Sequence, residues 1–313
     1  MVVRVNLKHI EIILAIEHAG SLRGAAKVLG RTQPALTKAL RQAEADLGTA
    51  IFERGPSGVS VTAHGRTVLR RARVIHEEFR RMQEDVSQIK GGIDGNLSVT
   101  VSPLAATKFV PQAMARFRRR FARAHVQIDG GHEPMAFGPL RNGAVDFVIG
   151  PAPGGSGANG LHVTEIVKTP ICVVTGRGSR YAGATSLTQL LDADWIMIGP
   201  KERLPIVAER FRAMGLVPPE PHLNSDSVLS ILSMLADSDM VCSFPTLFLD
   251  DFEGVWPIVR IPVTEAFPPV PIAITHSAQR PLTPAAAFFR DCVLAVADEF
   301  ASRKAGYSKK VSQ

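Results

Sequence analysis

No uninterrupted apolar run of about 18 or more residues occurs in the 313-residue sequence, so nothing in it reads as a membrane span. Charged Lys8, Glu11 and Glu17 break up the apolar residues near the start. No secretory leader is therefore expected, and the cytoplasm is the expected compartment. Cysteine is scarce. Cys172, Cys242 and Cys292 stand far apart, each in an apolar run, with no CxxC. They are expected to be buried, reduced thiols, because none has the basic setting that lowers a thiol pKa in a redox sensor. The nine histidines form no cluster with metal-ligand spacing, and neither a metal nor a cofactor is expected. GxSxG, GxxxxGK[ST], HExxH and GxGxxG are all missing from suitable contexts, so enzyme chemistry is not expected.

What is present suffices for sizeable cores: 45% of residues are hydrophobic and the mean hydropathy is +0.10. The length suggests two or three domains. Charge is unevenly placed. The net charge is +7, and residues 1–94 hold 15 Lys/Arg against 10 Asp/Glu. Most of the excess thus lies in the first third, as a polyanionic partner would favour. Solubility alone would also account for a basic protein, so the location of the charge is the informative part.

That location coincides with residues 21–54, SLRGAAKVLGRTQPALTKALRQAEADLGTAIFER, which read as helix, tight turn, helix and the start of a β-ribbon. Ser21 is an N-cap, and Gly30 ends the first helix in a left-handed conformation. Thr32 is expected to cap the second helix, with Pro34 in its first turn where a missing N–H costs little. Leu36, Ala39, Leu40, Ala43 and Leu47 recur at helical spacing and should be buried. The opposite side carries Gln33, Pro34, Thr37, Lys38 and Arg41, short or cationic side chains suited to the major groove of duplex DNA. Gln33, Thr37 and Lys38 are the candidates for base readout, with Arg31 and Thr32 flanking them and Arg41 on the phosphate backbone. Ile51–Arg54 and Val59–Val61 read as two strands of a wing that places Arg54 on the same duplex. A solvated arginine at a strand end is the plain alternative for Arg54.

Thr62 is expected to cap a long helix running to about Ile89. Val68, Ala72, Ile75, Phe79, Met82, Val86 and Ile89 are spaced 4, 3, 4, 3, 4, 3. This is a heptad seam through which two copies can pair, although the stripe could also pack on its own domain. Pairing would present two such helices about one DNA turn apart, to a pseudo-palindrome. Gly91–Gly95 reads as a hinge. Beyond it, apolar strands alternate with helices in the way that gives mainly parallel sheets covered by helices.

The chain resembles the LysR-type transcriptional regulators. Ala25, Ala26, Leu29, Gln33-Pro34-Ala35-Leu36, Leu40, Glu44, Leu47-Gly48, Phe52, Arg54, Thr62 and Gly65 carry the resemblance. It departs at Thr37-Lys38, where the family often has Ser-Arg, and at Ala43, where Leu is common. The resemblance implies an N-terminal all-α winged helix-turn-helix over residues 1–61 and a dimerisation helix over 62–90. A hinge at 91–95 then leads to a C-terminal α/β part with the type 2 periplasmic-binding-protein fold. Two α/β subdomains are implied there, 96–168 plus 272–301 and 169–271, with crossovers near Val167–Cys172 and Val270–Ala273. The polar, basic residues 302–313 are expected to form a disordered tail. The implied partners are double-stranded DNA, a small-molecule effector, and further copies of the chain, as a homodimer and, commonly in the family, a homotetramer. No membrane is implied.

In open α/β sheets ligands bind beyond the carboxyl ends of the strands. Ser102-Pro103, Gly199-Pro200, Ser225 with Ser227, and Phe244 all follow or adjoin such ends. Helix N-termini there favour an anion. The resemblance carries Ser102 onto the family's effector contact, and Gly150, Gly199 and Ser227 onto the rim of its pocket. For each serine, a simple N-cap is an equally good reading. Asp226 opposes an anion or caps its helix; Lys201 and Arg203 pair with one or are solvated. Phe137, Phe244 and Phe248 read as core residues before ligand platforms. Set against the regulator are an enzyme, which the missing motifs disfavour, and a solute receptor without a DNA role, which residues 21–54 disfavour.

Overall fold

The structure is a computed structural model, which describes residues 5–55, 58–89, 95–131, 136–199 and 206–311. The chain divides into two compact units, one holding the residues up to 92 and the other nearly all of those from 93 on.

The first unit begins with α1 (Leu7–Ala19), α2 (Leu22–Val28) and α3 (Gln33–Leu47). Asn6 Oδ1 caps α1 by accepting from the His9 N–H at 3.1 Å, and Ser21 Oγ caps α2 by accepting from the Gly24 N–H at 3.0 Å. Gly20, Gly30 and Gly48 take left-handed φ values of 63°, 61° and 69° at the helix ends, where a side chain would be strained. Thr32 occupies the N-cap of α3 without a side-chain hydrogen bond. Pro34 at the second helical position removes one of the two N–H groups such a cap would serve. Leu36, Leu40 and Ala43 are buried as expected, whereas Ala39 is half-buried and Leu47 is 40% exposed. Gly48 stops the helix at that point, so the last turn of α3 overhangs the core of Ile12, Ile13, Ile16, Leu22, Ala25 and Ile51.

The wing strands β1 (Phe52–Gly55) and β2 (Gly58–Val61) pair antiparallel. The Val59 N–H donates to Gly20 O at 3.2 Å, docking β2 on the α1–α2 junction. Next comes α4 (Ala63–Ile89), and Thr62 Oγ1 accepts from the Gly65 N–H at 2.8 Å in its first turn. Along the expected seam, Ala72 is buried in the unit's own core with Val68 packed beside it. Ile75, Phe79, Met82 and Val86 face outward. The Ile89 side chain lies outside the described residues.

The second unit contains β3 (Asn96–Val101), α5 (Pro103–Lys108), α6 (Val110–Arg120), β4 (His125–Gly130), α7 (Phe137–Asn142) and β5 (Phe147–Pro151). A short 3-10 turn at Gly155–Ala158 comes next, and β6 (Leu161–Thr169) follows. Then come β7 (Ile171–Gly176), a 3-10 turn at Leu187–Leu190, β8 (Trp195–Ile198), α8 (Ile206–Ala213), β9 (Leu223–Ser225), α9 (Val228–Ala236), β10 (Val241–Pro245), α10 (Thr246–Leu249) and β11 (Ile258–Arg260). The chain closes with β12 (Val270–Ser277) and α11 (Pro284–Val311).

Two five-stranded sheets result, ordered β4-β3-β5-β12-β6 and β11-β7-β10-β8-β9. The chain passes from the first sheet to the second at Pro170, between β6 and β7, and returns between β11 and β12. The expectation of mainly parallel sheets is corrected. β3 pairs parallel with β4 and β5, and β8 with β9 and β10, but the β12 pairs with β5 and β6 and the β7 pairs with β10 and β11 are antiparallel. The strands next to the crossings run against their neighbours because the chain enters each sheet there without a covering helix to turn it round.

Phe109, Phe117, Phe147 and Phe289 fill the core between the first sheet, α6 and α11. The second sheet is packed by Ile231, Leu232 and Phe248 on one face and by Trp195, Val207 and Phe211 on the other. Residues 302–311, expected as disordered tail, continue α11 to Val311. Ala301, Arg303, Lys304, Ala305, Lys309 and Lys310 are strong helix formers, and polarity alone does not end a helix. None of the described helices is long and apolar enough to cross a membrane.

Candidate functional site

Two sites lie in separate units. In the first unit, Gln33, Pro34, Thr37, Lys38, Arg41 and Gln42 line one open concavity along α3, flanked by exposed Arg31 and Thr32. The buried side of the helix, with Leu36, Leu40 and Ala43, holds this face outward. Among the described residues, no hydrogen bond or ion pair occupies the side chains of Gln33, Lys38 or Arg41, so they are available to a ligand. Gln42 Nε2 instead donates to Asp46 Oδ1 at 3.0 Å. Arg54 lies in β1, and its side chain is outside the described residues.

Glu44 has a role that the sequence reading did not assign. Its Oε1 accepts from the N–H groups of Ile51 at 2.8 Å and Phe52 at 3.3 Å. One carboxylate thereby fixes the start of the wing against α3. The signal was a half-buried acid on a helix face whose neighbours are apolar.

In the second unit, a cleft of about 80 Å³ is lined by Ser102, Pro103, Leu104, Pro151, Ile171, Met197, Ile198, Ser243, Phe244, Pro245, Phe248, Val270 and Ile272. These residues come from both sheets, so the cleft lies where the two subdomains meet. Of the expected effector residues, Ser102, Pro103 and Phe244 line it. Gly150 backs it: a side chain there would press on Ser102 Cβ at 3.3 Å. Gly199 adjoins Ile198 with φ +98° and donates its N–H to Ser225 O at 3.1 Å. Ser225 and Ser227 do not line the cleft. Ser225 Oγ accepts from the Ser227 N–H at 3.1 Å, and Ser227 Oγ caps α9 by accepting from the Ser230 N–H at 3.3 Å, so both hydroxyls serve the local turn. Pro200, Lys201 and Arg203 lie outside the described residues.

Ser102 caps α5, accepting from the Ala105 N–H at 3.3 Å, and its hydroxyl proton remains free to be donated. Ser243, which sequence reasoning passed over inside an apolar run, places its hydroxyl at the cleft with no partner among the described residues. Its signal was a lone polar residue in the middle of the apolar strand Val241–Pro245. Beside the cleft, Lys108 Nζ pairs with Asp251 Oδ1 at 2.5 Å. Leu104 of α5 sits in the core of the second sheet. Both contacts join α5 of the first subdomain to the second.

Cys242 and Cys292 are buried as expected, whereas Cys172 is half-buried. Burial pushes the Cys242 thiol up to about 12 and raises those of Cys172 and Cys292 as well. At pH 8 a thiol of pKa about 12 is thiolate in only about one molecule in ten thousand. Cys242 of the native protein is therefore expected to resist an aromatic disulfide reagent until the fold is opened with denaturant. Stoichiometric labelling of Cys242 within seconds under native conditions would refute that burial.

Known families match both parts of the chain. Residues 7–66 match the family model described as bacterial regulatory helix-turn-helix protein, lysR family. Residues 90–298 match the LysR substrate binding domain. The chain belongs to the LysR family of bacterial transcriptional regulators, with a DNA-binding helix-turn-helix and an effector-binding region. It is 27% identical over 288 residues to the transcriptional regulator GbpR of Azospirillum brasilense, covering 90% of this chain and 84% of that one. It is 24% identical over 263 residues to TdcA of Escherichia coli strain K12, covering 83% of each. Among solved structures, CbnR, a LysR family regulator, superposes with TM-score 0.66 at 21% identity, over 94% of this chain and 99% of that one. A full-length OxyR variant from Pseudomonas aeruginosa gives 0.64 at 19%, over 93% and 95%. CbnR has also been solved in complex with its target DNA.

Proposed function

We propose that two copies of this chain, acting in the cytoplasm, bind a pseudo-palindromic duplex operator, and that a small anionic effector in the cleft of the second unit alters that binding. The observation that carries the DNA reading is the free polar face of α3, held outward by Leu36, Leu40 and Ala43. Gln33, Thr37 and Lys38 read base edges, Arg31, Thr32 and Pro34 lie against the groove, and Arg41 and Arg54 take phosphates. Ile75, Phe79, Met82 and Val86 form the contact between copies, and a homotetramer is two such dimers.

Ser102, Pro103 and Phe244 contact the effector, with Gly150 and Gly199 shaping the rim. No charged side chain lines the cleft among the described residues. An effector carboxylate would therefore be met by hydroxyls and free backbone N–H groups, with the rest of the molecule apolar. Binding shifts the population of subdomain arrangements, and the two sites are coupled by that shift.

The test is a footprint of the purified protein on the DNA beside its own gene at two salt concentrations. A protected pseudo-palindrome that weakens at higher salt is expected. Lys38→Ala should weaken binding, and Gln33→Ala should relax the preference at one base pair by about 1–3 kcal/mol. An unchanged operator preference when Gln33 and Lys38 are both replaced by alanine would overturn the assignment of α3.

A further inference from the structure

Behind the cleft lies a second cavity, of about 20 Å³, lined by Trp195, Val207, Ala208, Phe211 and the prolines 218 and 219. Met197 and Ser243 line both spaces. β8 and β10 run parallel with Cys242 opposite Ile196, so Ser243 and Met197 stand side by side one step further along. Pleat alternation turns both toward α8, and the strands end at the cleft. Met197 is 7% exposed. Its unbranched thioether chain can change rotamer at low cost. Beyond it, Trp195 is held by its Nε1–H donating to Leu190 O at 3.1 Å and by an edge contact with Phe211. The far wall is pinned by these contacts, whereas Met197 is held by packing alone.

The cleft as it stands, about 80 Å³, is about half the ~150 Å³ that accepts a benzene ring in an engineered cavity. A larger ligand needs more room: the second cavity adds about 20 Å³, and a rotamer change that turns Met197 aside adds the space its own side chain fills. We infer that Met197 is a displaceable partition, and that the effector is an amphipathic molecule. Its polar head meets the Ser102 and Ser243 hydroxyls, and its unbranched apolar tail passes Met197 to lie against Trp195 and Phe211. This rests on the reading of the cleft as the effector site.

The probes are straight-chain monocarboxylates from butanoate to decanoate, titrated by calorimetry into the full-length protein carrying Trp256→Phe. Trp195 is then the sole tryptophan, since the chain has two. Affinity is expected to rise about fourfold per added methylene once the tail passes Met197, and Trp195 emission is expected to shift over the same range of lengths. Ala208→Val, which fills the second cavity from α8, should abolish that gain and leave the shorter acids unaffected. Met197→Ala should move the onset to shorter acids. If it fails to fold, the Ala208→Val comparison decides alone. Acids that bind without a length preference, or with Trp195 emission unchanged, would overturn the partition and leave the effector site standing. Binding by none of the acids in any variant would overturn both.

Discussion

Replacing Phe79 and Met82 together by glutamate is expected to convert the protein to a monomer and to lower operator affinity by about 10² to 10⁴-fold. Ile75, Phe79, Met82 and Val86 are 51%, 37%, 53% and 49% exposed, and the spacing of 4, 3, 4 keeps them on one side of α4. Each large apolar side chain buried against a partner contributes about 1.5–3 kcal/mol. Two unpaired carboxylates at the centre of the seam would reverse that gain. An apolar groove along Leu7, Ile10, Leu47, Ile75 and Phe79 continues the stripe onto α1 and the end of α3, so more than the helix alone is available to a second copy. Because the two side chains are partly exposed, the single chain should still fold, which circular dichroism checks. Sedimentation and operator titration then read the effect. A double variant that remains dimeric with full affinity would show that the copies meet elsewhere.

The second large effect is expected at Gly65. A Cβ there would stand 2.1 Å from Ile51 O and 2.9 Å from its carbonyl carbon. No flexible side chain can yield, because both atoms belong to the backbone. The same spot is tied by the Thr62 N–H donating to Ile51 O at 3.0 Å and by Thr62 Oγ1 donating to Ala50 O at 2.8 Å. Gly65→Ala must therefore part α4 from the start of the wing, at a cost of about 3 kcal/mol. For a unit of this size the unfolding temperature should fall by more than about 10 °C, and operator binding should fall with it. Effector-induced stabilisation of the second unit should persist. A calorimetric trace identical to that of the parent protein would refute the close approach.

The DNA-binding unit was largely legible because its signals are local. Ser21 and the glycines at 20, 30 and 48 each mark a helix end at the residue itself, and the α3 pattern separates its two sides. The errors lie where a neighbour intervenes. Leu47 overhangs because Gly48 ended the helix, whereas Thr32 makes no side-chain bond although the Ala35 N–H, the equivalent of the donor used at the other caps, is present. For α4, periodicity identified the stripe, but only packing could divide it between Ala72, inside, and Phe79, outside. The cleft was half legible. Ser102 and Phe244 were found from strand ends, whereas Met197 and Ser243 sit within apolar runs and acquire their place only when β8 and β10 lie side by side. Ser225 and Ser227 show the converse: a strand end followed by serines can spend all its polar atoms on its own turn. The antiparallel pairs were hidden for the same reason, since pairing across a hundred residues leaves no local mark.

The position of β12 has a consequence for how the chain comes into being. It lies between β5 and β6 in the first sheet, yet it begins at Val270, after the whole of the second sheet. On the ribosome, β5 and β6 must therefore wait with their facing edges unpaired while the roughly one hundred residues between β6 and β12 are synthesised and fold. The helical unit and the inserted sheet, whose contacts are closer in sequence, are complete first. The sheet that carries Ser102 and Gly150 is closed last, by a strand arriving from the final fifth of the message. A chain terminated before that point keeps its recognition helix and loses its sensor.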